Sequence, residues 1–485
     1  MTPEGSCLTT SIPQRLDRLP WSRWHRKMVT ALGITWLLDG LEVTMAGALA
    51  SILREPAALG LSNVQVGATA TAYLTGAITG ALFFGWLTDR LGRKKLFFIT
   101  LGVYVAGTAA TAFAWDFWSF VVFRGVTGLG IGGEYAAINS AIDELIPAPV
   151  RGTVDLIVNA TFWIGAALGS LGTLFLLDSG LLPPAFGWRF AFGIGAVLGL
   201  IILRLRRSVP ESPRWLLLRG REEEAEAIVR TIETAVAQEK GPLAEPRGSL
   251  SLRVRSHTPL RDVWRAMTSW QPKRSLLGLI LMSSQAFFYN AIFFTYGLVL
   301  TQFLQVDSRR VSLYLLPLAL GNFAGPLVLG RFFDSIGRRQ MISATYGASG
   351  TLLIIAAINF RHSDASAIGQ AIWFSVISFI ASSAASSAYL TVSEIFPLEI
   401  RAFAISVFYA AGTLSGGAGA PLLFGHLIET GSRAAVSKGY VAGGLFMLVG
   451  AATEALFGVD AARRSLESIA SPLQSVCEPG QEPAA

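Results

Sequence analysis

Twelve long apolar stretches run along the chain, at 28–53, 65–88, 94–113, 116–142, 151–177 and 186–206, then at 275–302, 311–333, 340–359, 366–392, 401–427 and 438–459. Each reaches the roughly 20 residues that an α-helix needs to cross a bilayer core. Polar residues collect in short clusters between them, and most stretches have no polar face of the kind a surface helix presents to water. The pattern predicts an all-α membrane protein with twelve transmembrane helices. The one long polar interval, 207–274, carries Ala225, Ile228, Val229, Ile232 and Val236 at helical spacing, with Glu226 and Arg230 placed as a favourable i,i+4 pair. It predicts an amphipathic helix lying against the membrane part. Residues 240–260 mix Gly, Pro, Ser and Arg and predict a flexible linker.

Basic residues set the orientation. With the N-terminus inside, cytoplasmic segments hold about 29 Lys and Arg, against about seven outside: Arg54, Arg189, Arg309, Arg310, Arg361, Arg433 and Lys438. Both termini are therefore expected in the cytoplasm of a multi-pass protein of the plasma (inner) membrane. The chain divides into a cytoplasmic tail 1–27, a six-helix bundle 28–206, a cytoplasmic linker 207–274, a second six-helix bundle 275–460 and a tail 461–485. Glu4, Asp17 and prolines precede the first apolar run, so the start does not read as a cleavable signal peptide.

The two bundles repeat each other. Gly85-Trp86-Leu87-Thr88-Asp89-Arg90-Leu91-Gly92-Arg93-Lys94 follows the second stretch, and Gly330-Arg331-Phe332-Phe333-Asp334-Ser335-Ile336-Gly337-Arg338-Arg339 follows the eighth. Both read G-x-x-x-D-x-x-G-R-[K/R]. Glu144-x-x-Pro147-x-x-x-Arg151 follows the fourth stretch and Glu394-x-x-Pro397-x-x-x-Arg401 the tenth. Matched motifs in matched order imply two parallel halves with a solute site between them.

Composition supports this. Hydrophobic residues make up 52% and charged residues 15%, against about 25% charged in soluble domains, and mean hydropathy is +0.51. The 50 glycines suit closely packed membrane helices. The net charge of +7 is explained by basic cytoplasmic loops, and no basic stripe points to nucleic acid. The two cysteines, Cys7 and Cys477, stand in the tails, and neither a disulfide framework nor metal-ligand spacing is present. There is no H-E-x-x-H, no G-K-[S/T] phosphate loop and no G-x-S-x-G elbow. These features exclude familiar enzymes and nucleotide-driven pumps, and no cofactor is expected.

With those motifs in view, the chain resembles the major facilitator superfamily, in the branch of sugar porters and their organic-ion and synaptic-vesicle-protein-2-like relatives. The resemblance spans about residues 28–460. Pro210-Glu211-Ser212-Pro213-Arg214 resembles the P-E-S-P-R motif after the sixth helix, and Ser284-Gln285-Ala286-Phe287-Phe288-Tyr289-Asn290-Ala291 the seventh-helix Q-Q-x-x-G-x-N-A. The departures weigh against a sugar. Ser284 replaces the first Gln, Phe288 the Gly, Asn159 a fifth-helix Gln and Tyr389 a tenth-helix Trp, and the final P-E-T-[K/R]-G is absent. Asp39-Gly40-Leu41-Glu42 resembles the acidic pair of the organic-ion members.

Four groups of residues carry the expected chemistry. Asp89 and Asp334 can accept hydrogen bonds from a neighbouring helix N-terminus. Arg93, Lys94, Arg338 and Arg339 can pair with Glu144 and Glu394, and Arg90, Arg151 and Arg401 complete this gate, which would hold the inner side shut in one state. The charges Asp39, Glu42, Arg124 and Glu134 lie within membrane stretches, where each costs about 2.5–3.5 kcal/mol unless paired or used. The resemblance implies that a first-helix acid pairs with Arg124 and cycles a proton, with either acid a candidate. A structural ion pair and direct binding of an anion by Arg124 are the alternatives.

Tyr73, Asn159, Trp163, Gln285, Tyr289, Asn290, Tyr296, Asn322, Tyr389 and Tyr409 are expected to line the solute cavity. The glycines following Arg124, Gly412, Gly416, Gly417 and Gly419, and Ser382, Ser383, Ser386 and Ser387 suit close helix contact. His426 and Glu454 are expected in solvated positions. The function expected is secondary, proton-coupled transport of a small organic solute by a monomer, an organic acid with an aromatic ring being favoured. A sugar or polyol porter comes next, then an exporter of organic cations. A receptor on the same scaffold would need an output domain or decayed gate motifs.

Overall fold

The structure is a computed structural model that describes residues 7–49, 52–176, 183–246, 248–254, 258–293, 296–307, 310–362 and 366–473; Arg309 and Cys477 lie outside the described residues. The first half consists of α1 (Arg23–Leu49), α2 (Asn63–Leu91), α3 (Arg93–Ala112), α4 (Phe117–Leu145), α5 (Arg151–Leu176) and α6 (Pro184–Leu205). The second consists of α7 (Pro272–Phe293, resuming at Tyr296–Leu304), α8 (Val311–Ser335), α9 (Arg338–Arg361), α10 (Ala367–Ile395), α11 (Arg401–Glu429, π-helical over Thr413–Gly419) and α12 (Arg433–Phe457). Capping boxes at Ser62/Gln65 and Asp116/Ser119 satisfy the exposed N–H groups that open α2 and α4.

Among the described residues, eleven helices are long and apolar enough to cross a membrane, and the twelfth is α4. It carries Arg124, Glu134, Asp143 and Glu144, and every residue from Gly130 to Leu145 is buried. A helix enclosed by other helices rather than lipid has no need of an apolar surface.

Small residues set the packing. A Cβ on Gly128 or Gly132 would lie 2.1 or 1.9 Å from α2 carbonyl oxygens, and one on Gly130 would meet Tyr104 of α3. The second half repeats the arrangement where Gly325 of α8 abuts Phe379 of α10. Gly412 and Gly416 of α11 press against α7.

The segment between the halves is more ordered than its composition suggests. The helix Glu222–Lys240 buries Ala225, Val229, Ile232 and Val236, the predicted apolar stripe. Within the expected flexible linker, Leu250–Arg253 is instead a β-strand paired antiparallel with Cys7–Thr10. Leu8 faces Leu252 across this two-stranded ribbon and both are buried, so alternation of apolar residues decided the register. A short helix, Ile12–Asp17, continues the N-terminal segment. Glu454, expected in water, is fully buried near the end of α12.

Candidate functional site

The repeated loop motifs meet at the end of the bundle that carries the inter-half segment, here called the linker face. Gly92 and Gly337 have φ of 96° and 130°, left-handed values open to glycine, and they turn the chain from α2 into α3 and from α8 into α9. One turn earlier, Asp89 accepts a hydrogen bond at 3.0 Å from the N–H of Phe403, in the first turn of α11. Asp334 accepts from the N–H groups of Gly152 and Thr153, at 3.1 and 2.7 Å, in the first turn of α5. Each half therefore contributes a carboxylate that caps a helix of the other half, where unpaired N–H groups and the helix dipole favour negative charge.

Arginines lock these carboxylates. Arg93 lies 3.2 Å from Asp89 and 2.8 Å from Glu144. Arg338 lies 2.8 Å from Asp334 and 3.0 Å from Glu394. Arg151 reaches Glu394 across the halves at 3.7 Å, and Arg401 reaches Glu144 at 3.8 Å. These contacts tie the two halves together at the linker face. The second basic residue of each motif behaves differently from expectation. Neither Lys94 nor Arg339 pairs with Glu144 or Glu394; Arg339 donates to the carbonyl of Ala455 at 3.0 Å, and its charge acts on the buried Glu454 of α12. One residue of helix rotates these side chains away from the carboxylates that their predecessors face. Arg90 lies over the Trp86 ring, 4.1 Å from its centroid.

Three further groups join the latch without having been singled out. Asp17 lies 3.1 Å from Arg151 and 3.0 Å from Arg214, and Arg214 lies 2.8 Å from Glu467. Burial disfavours the Arg214 charge, but Glu467 and Asp17 outweigh it and push its pKa above the ordinary arginine value. Arg214 belongs to the quoted P-E-S-P-R motif and could have been proposed from it. Nothing local marks Asp17 or Glu467.

Between the halves lies a cavity of about 470 Å³. Tyr73, Asn159 and Trp163 line it from the first half, and Gln285, Tyr289, Asn290, Tyr389 and Tyr409 from the second, as the sequence predicts. Its lining reaches Leu53, Val66 and Phe120, at helix ends remote from the linker face. Two expected residues stand elsewhere. Tyr296 is buried within the second half, its ring 4.7 Å from Phe374. Asn322 lies behind the wall, accepting from the Tyr289 hydroxyl at 2.7 Å. Trp36 and Tyr135 line the cavity and were not anticipated. Trp36 precedes Asp39 by three residues, a spacing that could have placed it on that acid's side of α1.

The intramembrane charges separate into three sets. Glu42 forms an ion pair with Arg124 and also accepts from the hydroxyls of Tyr104 and Thr108, the latter at 3.3 Å. The Arg124 guanidinium sits over the Tyr73 ring, 4.4 Å from its centroid. Asp39 accepts from the hydroxyls of Tyr73, at 2.9 Å, and Tyr135. Asp39 and Arg124 line the cavity, whereas Glu42 is not part of its wall. Glu134 stands apart from this group, paired with Arg206 at 2.7 Å and accepting from Thr100 at 2.9 Å. Residues three apart differ by about 60° around a helix, enough to send Asp39 to the cavity and Glu42 behind it. Asn159 donates to the Asp155 carboxylate at 3.2 Å, and Asp155 and Asp143 are both fully buried.

Known proteins place this geometry in context. The family model for sugar (and other) transporters matches residues 32–470. The chain is 27% identical to the niacin transporter NiaP of Acinetobacter baylyi, over 94% of this chain and 98% of that one. It is 30% identical to the putative metabolite transport protein YyaJ of Bacillus subtilis, over 90% and 91%. Among solved structures it is similar to the proton:xylose symporter XylE bound to 6-bromo-6-deoxy-D-glucose, with a TM-score of 0.73, 20% identity, and coverage of 92% of this chain and 99% of that one.

Proposed function

The chain belongs to the sugar (and other) transporter family, a multi-pass membrane transporter and not an enzyme, and on that premise we propose that it carries a small organic acid with an aromatic ring, coupled to protons, as a monomer. The observation that carries this reading is the cavity between the halves, where aromatic rings surround Arg124 and Asp39. The rings of Trp36, Tyr73, Trp163 and Tyr389 offer flat apolar surface, and the tyrosines add hydroxyls at the edge. The niacin transporter among the relatives is named for a solute of this kind.

Coupling follows from the partner of Arg124. While Glu42 is ionised, the guanidinium is neutralised. A proton on Glu42 removes that counter-charge and leaves Arg124 free to bind a carboxylate, so proton and anion enter together. The positive-inside pattern supports a cytoplasmic position for the linker face and both termini. With the latch engaged there, the cavity belongs to the outward-facing state, and transport requires the latch to break as the opposite side closes.

A sugar is the second reading, favoured by the amide side chains of Asn159, Gln285 and Asn290 in the cavity wall. Uptake into proteoliposomes under an imposed pH gradient separates the two. The expected result is gradient-driven accumulation of a ring acid, with Glu42→Gln retaining exchange but losing accumulation. Accumulation of a pentose or hexose in its place would replace the acid reading, and uptake indifferent to the gradient would end the coupling claim.

A further inference from the structure

The proton cycle uses Glu42 and Arg124 and leaves Asp39 without a task. Asp39 is 1% exposed in its helix yet belongs to the cavity wall. Its two oxygens accept from the phenols of Tyr73 and Tyr135, and among the described residues it forms no ion pair, Arg124 being engaged with Glu42. Phenol hydrogen bonds orient a carboxylate without cancelling its charge. While Glu42 is ionised, two carboxylates and one guanidinium leave this end of the cavity one negative charge in excess; with a proton on Glu42, Asp39 and Arg124 remain to face one positive and one negative group of a solute.

The surroundings suit a cation. Trp36 lies tilted against Tyr135 at 4.5 Å and meets Tyr389 edge-on at 5.7 Å, and Tyr135 packs on Tyr409 at 4.8 Å. These four rings form one continuous wall beside Asp39, and all four line the cavity. Aromatic faces attract a cation through the ring quadrupole, most strongly where water is excluded. A carboxylate set into such a wall is a site for a weakly hydrated, delocalised positive nitrogen.

We propose that Asp39 and the ring wall of Trp36, Tyr135, Tyr389 and Tyr409 form a subsite for a cationic nitrogen of the solute, so that the acid carried is one whose ring bears nitrogen. This deepens the reading above and rests on it for the carboxylate. The nitrogen faces Asp39 while the carboxylate faces Arg124, which fixes the ring's orientation. Asp39 thereby sets specificity, and Glu42 sets coupling.

The test uses the purified full-length chain and follows quenching of tryptophan fluorescence, since Trp36 and Trp163 line the cavity. Three probes are titrated: 1-methylpyridinium-3-carboxylate, its uncharged-ring isostere 3-methylbenzoate, and 1-methylpyridinium without a carboxylate. The charged ring acid is expected to bind about tenfold more tightly than 3-methylbenzoate, the scale of a desolvated cation–π contact with a counter-charge. In Asp39→Asn the two Kd values should converge to within about twofold, and Asp39→Glu should restore the preference. Thermal melting of the variants guards against misfolding. Equal affinity of the isosteres in the wild type, or a preference that survives Asp39→Asn, would overturn the subsite. Binding of 1-methylpyridinium alone, lost in Asp39→Asn, with neither carboxylate probe bound, would keep the subsite and refute the organic-acid reading.

Discussion

The two halves of this transporter agree at the linker face and differ in the middle of the membrane. At the face each half contributes the same parts: a left-handed glycine, an aspartate capping the other half's helix, and an arginine held between that aspartate and a glutamate. At mid-membrane the first half holds Asp39, Glu42 and Arg124, whereas the second offers neutral Gln285, Tyr289 and Asn290. The lesson is a division of labour. On the proposed gating, opening and closing involve both halves equally, which accounts for a latch kept twice. On the proposed mechanism, binding a charge and handling a proton need one site, and a second set of buried charges would only add desolvation cost.

The strongest way to break this comparison is to unbalance the charged half. Glu42→Gln removes the carboxylate paired with Arg124, and with Asp39 still in the same cavity wall a loss of about 3 kcal/mol is expected. It should appear as a lower melting temperature in detergent, partly recovered by adding Arg124→Gln. Gln285→Ala in the neutral half should cost about 1 kcal/mol and raise KM without altering the response to a pH gradient. A similar loss for both would mean that the halves are not specialised.

Equality at the latch comes next. Asp89→Asn and Asp334→Asn each weaken charge-assisted hydrogen bonds worth about 1.5–3 kcal/mol, and both should shift the protein toward an open linker face by similar amounts. Distances between spin labels spanning that face provide the measurement. Unequal shifts would show that one latch dominates. Gly92→Ala and Gly337→Ala force a side chain into left-handed backbone, at about 1–2 kcal/mol each, and should again match in melting temperature.

The smallest effect concerns the N-terminal strand and helix, which dock on the segment between the halves and so belong to neither alone. Burial raises the Glu233 pKa, but hydrogen bonds from Arg15 and Arg18 outweigh it, and Arg15 and Arg230 do the same for Glu226. Both carboxyls therefore lie below their ordinary 4.5. Depressed acids contribute stability that is present above 4.5 and lost as pH falls through their folded values. A fluorophore on Cys7 should report release of the N-terminal strand on acidification below that point. Retention of the strand would mean that the apolar contacts of Leu8, Ile12 and Leu16 suffice.

What the sequence determined by itself was whatever rests on local spacing. Apolar runs of bilayer length specify membrane helices. The doubled motif could be read because its glycine, aspartate and arginine serve a turn and two adjacent helix ends. The cavity was legible in eight of its residues, since polar and aromatic groups on membrane helices have few other uses. The tertiary structure decided the pairings. Glu134 found Arg206 rather than the cavity, Asp17 reached Arg151 and Arg214, and Tyr296 turned into its own bundle. Such choices depend on which helix stands opposite and how far each is rotated about its axis. A rotation of about 60° separates Asp39, facing the cavity, from Glu42, locked to Arg124. Neighbours and rotation are set by close packing of glycines against distant backbone, which residue type and spacing along one chain do not reveal.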